Sequence, residues 1–457
     1  MDGDPAVEPE LDSFSRSLPL PYRVALLVIL GISSCSFLWS HCVFYSGFAD
    51  DATGVWAWGA NLQYLSGAKI VSLLLLLLHG ISFMTYTNIY NIQDVPHLIH
   101  YPPRRQRSDL PHHLTTYRLA LFLTLPLTFS LLLFWALSHR SPTLVIYYDF
   151  LPIILLLFIF LVFVLPIGRF CYSGRRRFLS TLKRVSIGGI AQSHDGKFGD
   201  ILLADVLTSY AKVIADLFVA LCMFVQHNGS ATARPDRGCG GQILVPMIIA
   251  IPSLIRFRQC IIEYLRVSGS SSGAGYQHLA NALKYFSAFP VIVLSALQRK
   301  LSVDHTQVGL SEAAVYRAWL GAVLVNSFYS FYWDVAKDWD LEFFSYMSSN
   351  QRSHSSSYQF GPTMLRSKLM FHSRSIYYGA IFIDFLLRFT WSLKLSPHLD
   401  HFADFESGIF LLELLEVARR WMWIFFRIET EWVRQNQASE VMDGTLLGDY
   451  QNKEDDD

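Results

Sequence analysis

Charge is scarce in this chain. Only 16% of its 457 residues are Asp, Glu, Lys or Arg, against 52% hydrophobic residues, whereas a soluble domain carries about a quarter charged. That shortage excludes a large water-facing globular surface. The 37 basic residues are balanced by 37 acidic ones, so nothing marks nucleic acid as a partner. Cysteine is nearly as rare, six residues with no CxxC spacing, and no metal site is expected. Cys42 and Cys239 fall on or near the non-cytosolic side, where pairing is open to them, although two unlinked thiols is the plainer expectation. His41, His79 and His227 lack Cys or carboxylate partners at ligand spacing. Each reads as structural, so neither a cofactor nor an enzymatic activity is expected. A cleavable signal peptide is also missing: the first 22 residues are acidic and Pro-containing, and the first apolar run is too long for a signal core.

What is abundant is apolar sequence in blocks of bilayer length, about 20 residues each. Ten such spans are read at roughly 23–45, 68–90, 117–137, 144–166, 201–226, 243–263, 277–297, 314–334, 375–395 and 405–427. Only helices satisfy their own backbone at these lengths in lipid, so the expected fold is all-α and polytopic. The chain divides into a tail at 1–22, a four-span region at 23–170, a basic loop at 171–197, a six-span unit at 198–435 and an acidic, disordered tail at 436–457. Basic residues crowd one set of loops, Arg104 to Arg107, Arg169 to Lys197 and Arg256 to Arg266 among them, while the opposite loops hold few, such as Arg140, Arg237 and Lys394. By the positive-inside rule both termini are cytosolic. The basic loop also suits anionic headgroups of the surrounding membrane lipids. Asn228-Gly229-Ser230 is a glycosylation sequon, too near the end of span five to expect occupancy.

Against that apolar background, intramembrane charge stands out. An Arg at a helix centre costs roughly 2.5–3.5 kcal/mol even on a lenient scale, so Arg388, Arg419 and Arg420 must face protein or water. Helical spacing aligns Asp205, Ser209, Lys212 and Asp216 along span five, and Asp334 with Asp338 at the inner end of span eight. Asp384 and Arg388 lie one turn apart in span nine, with Trp391 a turn beyond. In span ten, Glu413, Glu416, Arg420, Trp423 and Arg427 share a stripe, and Lys284-Tyr285 sits inside span seven. Pairs such as Asp384–Arg388 and Glu416–Arg420 are able to satisfy each other, which would leave Arg419 without a partner on its own helix. Charges on so many helices fit a lined pathway better than repeated register pins. Guanidinium forks bind phosphate oxygens in pairs and stay protonated, so inorganic phosphate is the expected substrate. The carboxylates either moderate the positive field or carry protons, and the spacing leaves both open. A weaker signal, Asp443 with Leu446 and Leu447, has the pattern of an acidic-dileucine sorting motif.

These residues carry a resemblance. Ser327 to Asp334 with Asp338-Trp339, Leu386 to Trp391, and Glu416 through Arg420, Trp423, Phe425 to Arg427 and Glu429 resemble the EXS-domain family, which includes phosphate exporters of the xenotropic and polytropic retrovirus receptor type. The chain is more similar still to that family's fungal ER-retention-defective branch. Weaker matches are Phe198 to Ser209 and Asn281 to Tyr285. The resemblance implies a six-helix phosphate pathway with Asp205, Lys284, Tyr285, Asp334, Asp338, Arg388, Trp391, Arg419 and Arg420 along it. Thr208 stands where the exporters have Asn. It also implies a homodimer built through the early spans. The exporters' N-terminal inositol-polyphosphate-sensing SPX domain has no counterpart in the 22 residues before span one, so that regulation is not expected. The shorter form resembles the Golgi-resident branch, linked to recovering phosphate from lumenal glycosylation and to retaining ER proteins and Golgi glycosyltransferases. Those enzymes or a coat adaptor would then be partners of a sorting role.

Overall fold

The computed structural model describes residues 17–41, 112–138, 142–168, 170, 172–192, 195–226, 230–232, 235–240, 243–268, 275–304, 311–344, 365–366, 368–371, 373–390 and 406–454. Among these there is no strand. The helices are α1 (Leu20–His41), α2 (His112–Ser138), α3 (Pro142–Tyr147), α4 (Phe150–Val164), α5 (Tyr172–Ser186), α6 (Lys197–Ser209) and α7 (Ala211–Val225). They continue with α8 (Leu244–Ser268), α9 (Gly275–Phe286), α10 (Ala288–Asp304), α11 (Glu312–Trp333), α12 (Arg374–Arg388) and α13 (Glu406–Glu454), and a π-helical turn at Asp334–Asp338 extends α11.

Four stretches are long and apolar enough to cross a bilayer: Arg118–Ser138, Leu144–Val164, Leu244–Ser268 and Gly275–Leu301, with α6 plus α7 a fifth if the bent pair is one span. The expected span at 68–90 lies outside the described residues, and α12, with 15 residues, is too short for that test. On α4, Leu155, Ile159 and Val162 are buried while Ile154, Leu157, Phe160, Leu161 and Val164 are exposed. An apolar outer face of this kind belongs in lipid. The protein is an all-α, polytopic membrane protein.

Span five is not the continuous helix that its charge spacing predicts. It breaks at Tyr210, and α6 and α7 meet at 61°. The Tyr210 hydroxyl donates to the Leu27 carbonyl of α1 at 3.1 Å. Gly31, one turn further along α1, makes room for the ring, since a Cβ there would lie 1.8 Å from the Tyr210 oxygen. The break puts Asp205 and Ser209 on one helix and Lys212 and Asp216 on another, so the four do not form a single stripe.

The direction of α1 differs from the expected one. Arg23, buried near its start, donates to Glu406 Oε2 at 2.6 Å, and Arg237 donates to Glu406 Oε1 at 2.6 Å. Leu20 packs with Val219, Met223 and Cys239. These contacts hold residue 23 at the end of the bundle carrying the 230–240 loop, whereas a first span leaving the cytosol would put it at the opposite, basic end. The reason is an ion pair: Glu406 holds Arg23 at this end, whereas the expected direction follows from alternating sides through every span, the one at 68–90 included. At the same end Cys239 is disulfide-bonded to Cys222. Cys222 takes the role considered for Cys42, which lies outside the described residues. The last helix is also longer than expected, because α13 runs on to Glu454 through the segment read as disordered.

Candidate functional site

The centre of the bundle is a network of charge built from six helical elements. Its anchor is Asp334, fully buried at the first position of the π turn. A π turn adds a residue per turn, and such turns are frequent at functional sites. Here Trp339 N–H bonds back to the Asp334 carbonyl at 2.9 Å, and the wider turn directs both Asp334 and Asp338 at Lys284, 2.9 and 3.3 Å away. Asp334 Oδ2 also accepts from Arg388 and, at 3.3 Å, from Arg419. One carboxylate therefore faces three cations, from α9, α12 and α13.

Arg419 is fully buried and wholly committed. It donates to Glu416 through Nε at 2.8 Å and Nη2 at 2.6 Å, and through Nη1 to Asp384 at 3.2 Å. This corrects two expected pairings. Glu416 pairs with Arg419 at i,i+3, not with Arg420 at i,i+4, so Arg419 does have a partner on its own helix. Arg388 and Asp384, one turn apart on α12, each reach across to another helix. In both cases tertiary partners outweigh spacing within one helix, because a charge this deep needs the closest counter-charge on any side.

Arg420 differs. It is buried, yet its hydrogen bonds go to hydroxyls: Nε to Ser209 Oγ at 2.7 Å and Nη2 to Thr208 Oγ1 at 3.4 Å. Its guanidinium lies 4.6 Å from the Trp423 ring centroid, a cation–π contact. Ser209 donates its own hydroxyl to Glu416 at 2.6 Å, and Thr208 donates to the Asp205 carbonyl at 2.7 Å. Two further donors, Arg388 Nε and Trp423 Nε1, are buried with no hydrogen-bond partner among the described residues. The site thus keeps a guanidinium free of any carboxylate pair among the described residues, beside unspent donors.

On the far side of α6, Asp205 accepts from Arg256 Nε at 2.7 Å and from the Tyr285 hydroxyl. Arg256 also donates to Gln259 at 2.8 Å, and Gln259 in turn donates to the Gly189 carbonyl at 2.9 Å. Sequence reasoning missed both residues. Arg256 reads as one more cytosolic-side charge, but it is buried in α8. Its i,i+3 spacing to Gln259, with Cys260 and Glu263 on the same buried face, is the signal that would have found it.

Of the expected pathway residues, the structure brings together Asp205, Thr208, Lys284, Tyr285, Asp334, Asp338, Arg388, Arg419 and Arg420. Trp391 lies outside the described residues. Asp443, Leu446 and Leu447 lie on the distal part of α13. Beneath the site Glu429 accepts from Tyr377 at 2.5 Å and from Met370 N–H at 2.8 Å. Arg366 bonds Thr430 at 2.7 Å and the Trp339 carbonyl at 2.9 Å. These bonds fix the segment 365–371 under the π turn.

Comparison with known proteins identifies the family of this chain. A family model described as the EXS family matches residues 41–433, so the match reaches back across the early spans as well. Protein ERD1 homolog 1 of Schizosaccharomyces pombe is 32% identical over 359 residues, 78% of this chain and 87% of its own length. Protein ERD1 of Kluyveromyces lactis is 29% identical over 245 residues, 53% of this chain and 60% of its own. Solute carrier family 53 member 1 of Homo sapiens is 30% identical over 342 residues, 71% of this chain but only 44% of its own. With most of its length matched by the family's model, this membrane protein belongs to the EXS family.

Proposed function

We propose that this protein carries inorganic phosphate across a Golgi membrane, from lumen to cytosol, as a channel or transporter and not as an enzyme. In that compartment it would recycle phosphate released by glycosylation and so support retention of lumenal ER proteins and Golgi glycosyltransferases. The observation that carries the reading is Arg420, a buried guanidinium held by Thr208 and Ser209 hydroxyls instead of a carboxylate. Hydroxyls hold the fork in place without neutralising it, so a tetrahedral oxyanion is able to complete its coordination. The acid pairs around Arg388 and Arg419 limit the total positive field, which lets the anion leave again. Likeness to a relative named as a solute carrier points the same way. The apolar outer faces of α2 and α4 suit lipid or a second copy of the chain, in keeping with a homodimer.

Radiolabelled phosphate uptake by purified protein in proteoliposomes tests this, with sulfate as competitor. Arg420→Ala removes a charged hydrogen-bond donor worth about 1.5–3 kcal/mol, which is about tenfold or more in binding. Uptake should fall accordingly while the protein still purifies as a folded species. Wild-type uptake in the Arg420→Ala protein would remove the reading.

A further inference from the structure

We propose that Asp216 and Glu413 form a proton-binding carboxylate pair in the outer half of the bundle, and that its protonation admits phosphate from that side. The inference rests on the phosphate reading above. Glu406, Glu413, Glu416, Arg419, Arg420 and Arg427 run down α13. From Glu406 to Arg427 is 21 residues, about 30 Å at 1.5 Å per residue, the thickness of a bilayer core. The column therefore crosses the membrane, and its carboxylates fall into two kinds.

The central ones are each clamped. Glu416, Asp334 and Asp384 all accept from a guanidinium at hydrogen-bonding distance. The outer pair is not. Glu413 is 5% exposed, and its Oε1 has no hydrogen-bond partner among the described residues. Its ion-pair neighbour is Lys212, at 3.9 Å, with the lysine side chain half exposed. Asp216 is 7% exposed, and its ion pair among the described residues is with Arg237 Nε, also at 3.9 Å. The charged groups facing the pair are Lys212 on α7, Arg237 from the 230–240 loop, Arg23 on α1 and Glu406 on α13. Arg23 and Arg237 already spend their short bonds on Glu406.

A buried carboxylate without a hydrogen-bonded counter-charge takes up a proton in preference to staying charged. The sign of the effect follows. With the pair ionised, its two negative charges and that of Glu406 cancel Lys212, Arg23 and Arg237, and nothing in the outer half draws phosphate toward Arg420. A proton from the outer water adds to a Glu413 carboxylate oxygen, an O–H bond forms, and one negative charge is lost. Lys212, Arg23 and Arg237 then outweigh Glu406 and Asp216 by one charge, and the outer half attracts an anion. The proton goes no further inward, because the next carboxylate on α13, Glu416, already accepts two hydrogen bonds from Arg419. It returns to the outer solution, so the pair gates phosphate and is not a co-transport site.

The test is radiolabelled inorganic phosphate flux in proteoliposomes of defined orientation, with outer-face pH varied from neutral to mildly acidic and inner pH fixed. Wild-type flux should rise several-fold as the outer face is acidified, and Glu413→Gln should flatten that dependence. Phosphate itself titrates in this range, but equally for both proteins, so the comparison isolates the protein's own group. Asp216→Asn gives a second, independent variant should Glu413→Gln fail to fold. Flux that is independent of outer pH in the wild type, or unchanged pH dependence in a folded variant, overturns the gate and leaves the phosphate reading standing. A wild type that passes no phosphate at any pH overturns both.

Discussion

Arg419 and Arg420 are adjacent on α13 and share no hydrogen-bond partner. Arg419 is the cation that Asp384 relies on, since its Oδ1 accepts from Arg419 and its Oδ2 has no hydrogen-bond partner. Removing one member of such a buried pair costs roughly 3–5 kcal/mol, because the other charge is left uncompensated. Arg419→Ala should therefore lower the thermal midpoint steeply in a detergent melt. Arg420→Ala also removes a buried charge that has no carboxylate partner among the described residues, so relief of its desolvation offsets the two lost hydroxyl bonds, and it should shift the same melt far less while losing phosphate flux. An equal shift in both variants would mean that Arg420 is structural too. At this scale the sequence shows that charge is buried, because Arg419-Arg420 and Asp384-to-Arg388 lie inside apolar runs. It does not show with what. Spacing along one helix favours Glu416 with Arg420, while the fold chooses Glu416 with Arg419, a choice that depends on Ser209 and Thr208 arriving from α6.

Helix irregularities set the site at the next scale. The break at Tyr210 turns α7 away from α6, and the π turn at Asp334–Asp338 brings two acids onto Lys284. Neither is legible in advance, since no Pro or Gly marks Tyr210 and nothing in Asp334-Val335-Ala336-Lys337-Asp338 distinguishes a π turn from an α turn. The break depends on α1 coming close enough for Tyr210 to seat against it, and that requires Gly31. Gly31→Ala drives a methyl into the Tyr210 hydroxyl. It should lower both the thermal midpoint and phosphate flux, because Thr208 and Ser209 end α6 just before the break. Gly321→Ala is the control: no atom lies within 4 Å of its Cβ position in α11. There the gain in helix propensity, about 1 kcal/mol, should leave the midpoint unchanged or slightly raised. A Gly31→Ala protein that behaves like Gly321→Ala would show that the bend does not depend on this contact.

For the molecule as a whole, two ends can be told apart chemically. One holds the basic helix α5, with Arg184 on Asp200 and Arg258 on the Ile187 carbonyl, and by the positive-inside rule it is cytosolic. The other holds the Cys222–Cys239 disulfide, a bond that persists in oxidising, non-cytosolic compartments. Arg23 joins Glu406 and Arg237 at the disulfide end, so α1 enters the membrane from the non-cytosolic side, parallel to α13 and antiparallel to α7. The loop charges alone give the reverse direction, because alternating sides from the basic loops back through the span at 68–90, which lies outside the described residues, puts residue 23 on the cytosolic side. Protease protection in sealed microsomes decides between the two. An epitope inserted at residue 17 should be shielded inside the lumen, while one inserted at residue 437, beyond the membrane-embedded part of α13, should be digested from outside. Digestion of both would return α1 to the direction of the charge count. It would also require Arg23 to leave Glu406, and with it the ion pairs that hold the outer half of the bundle together.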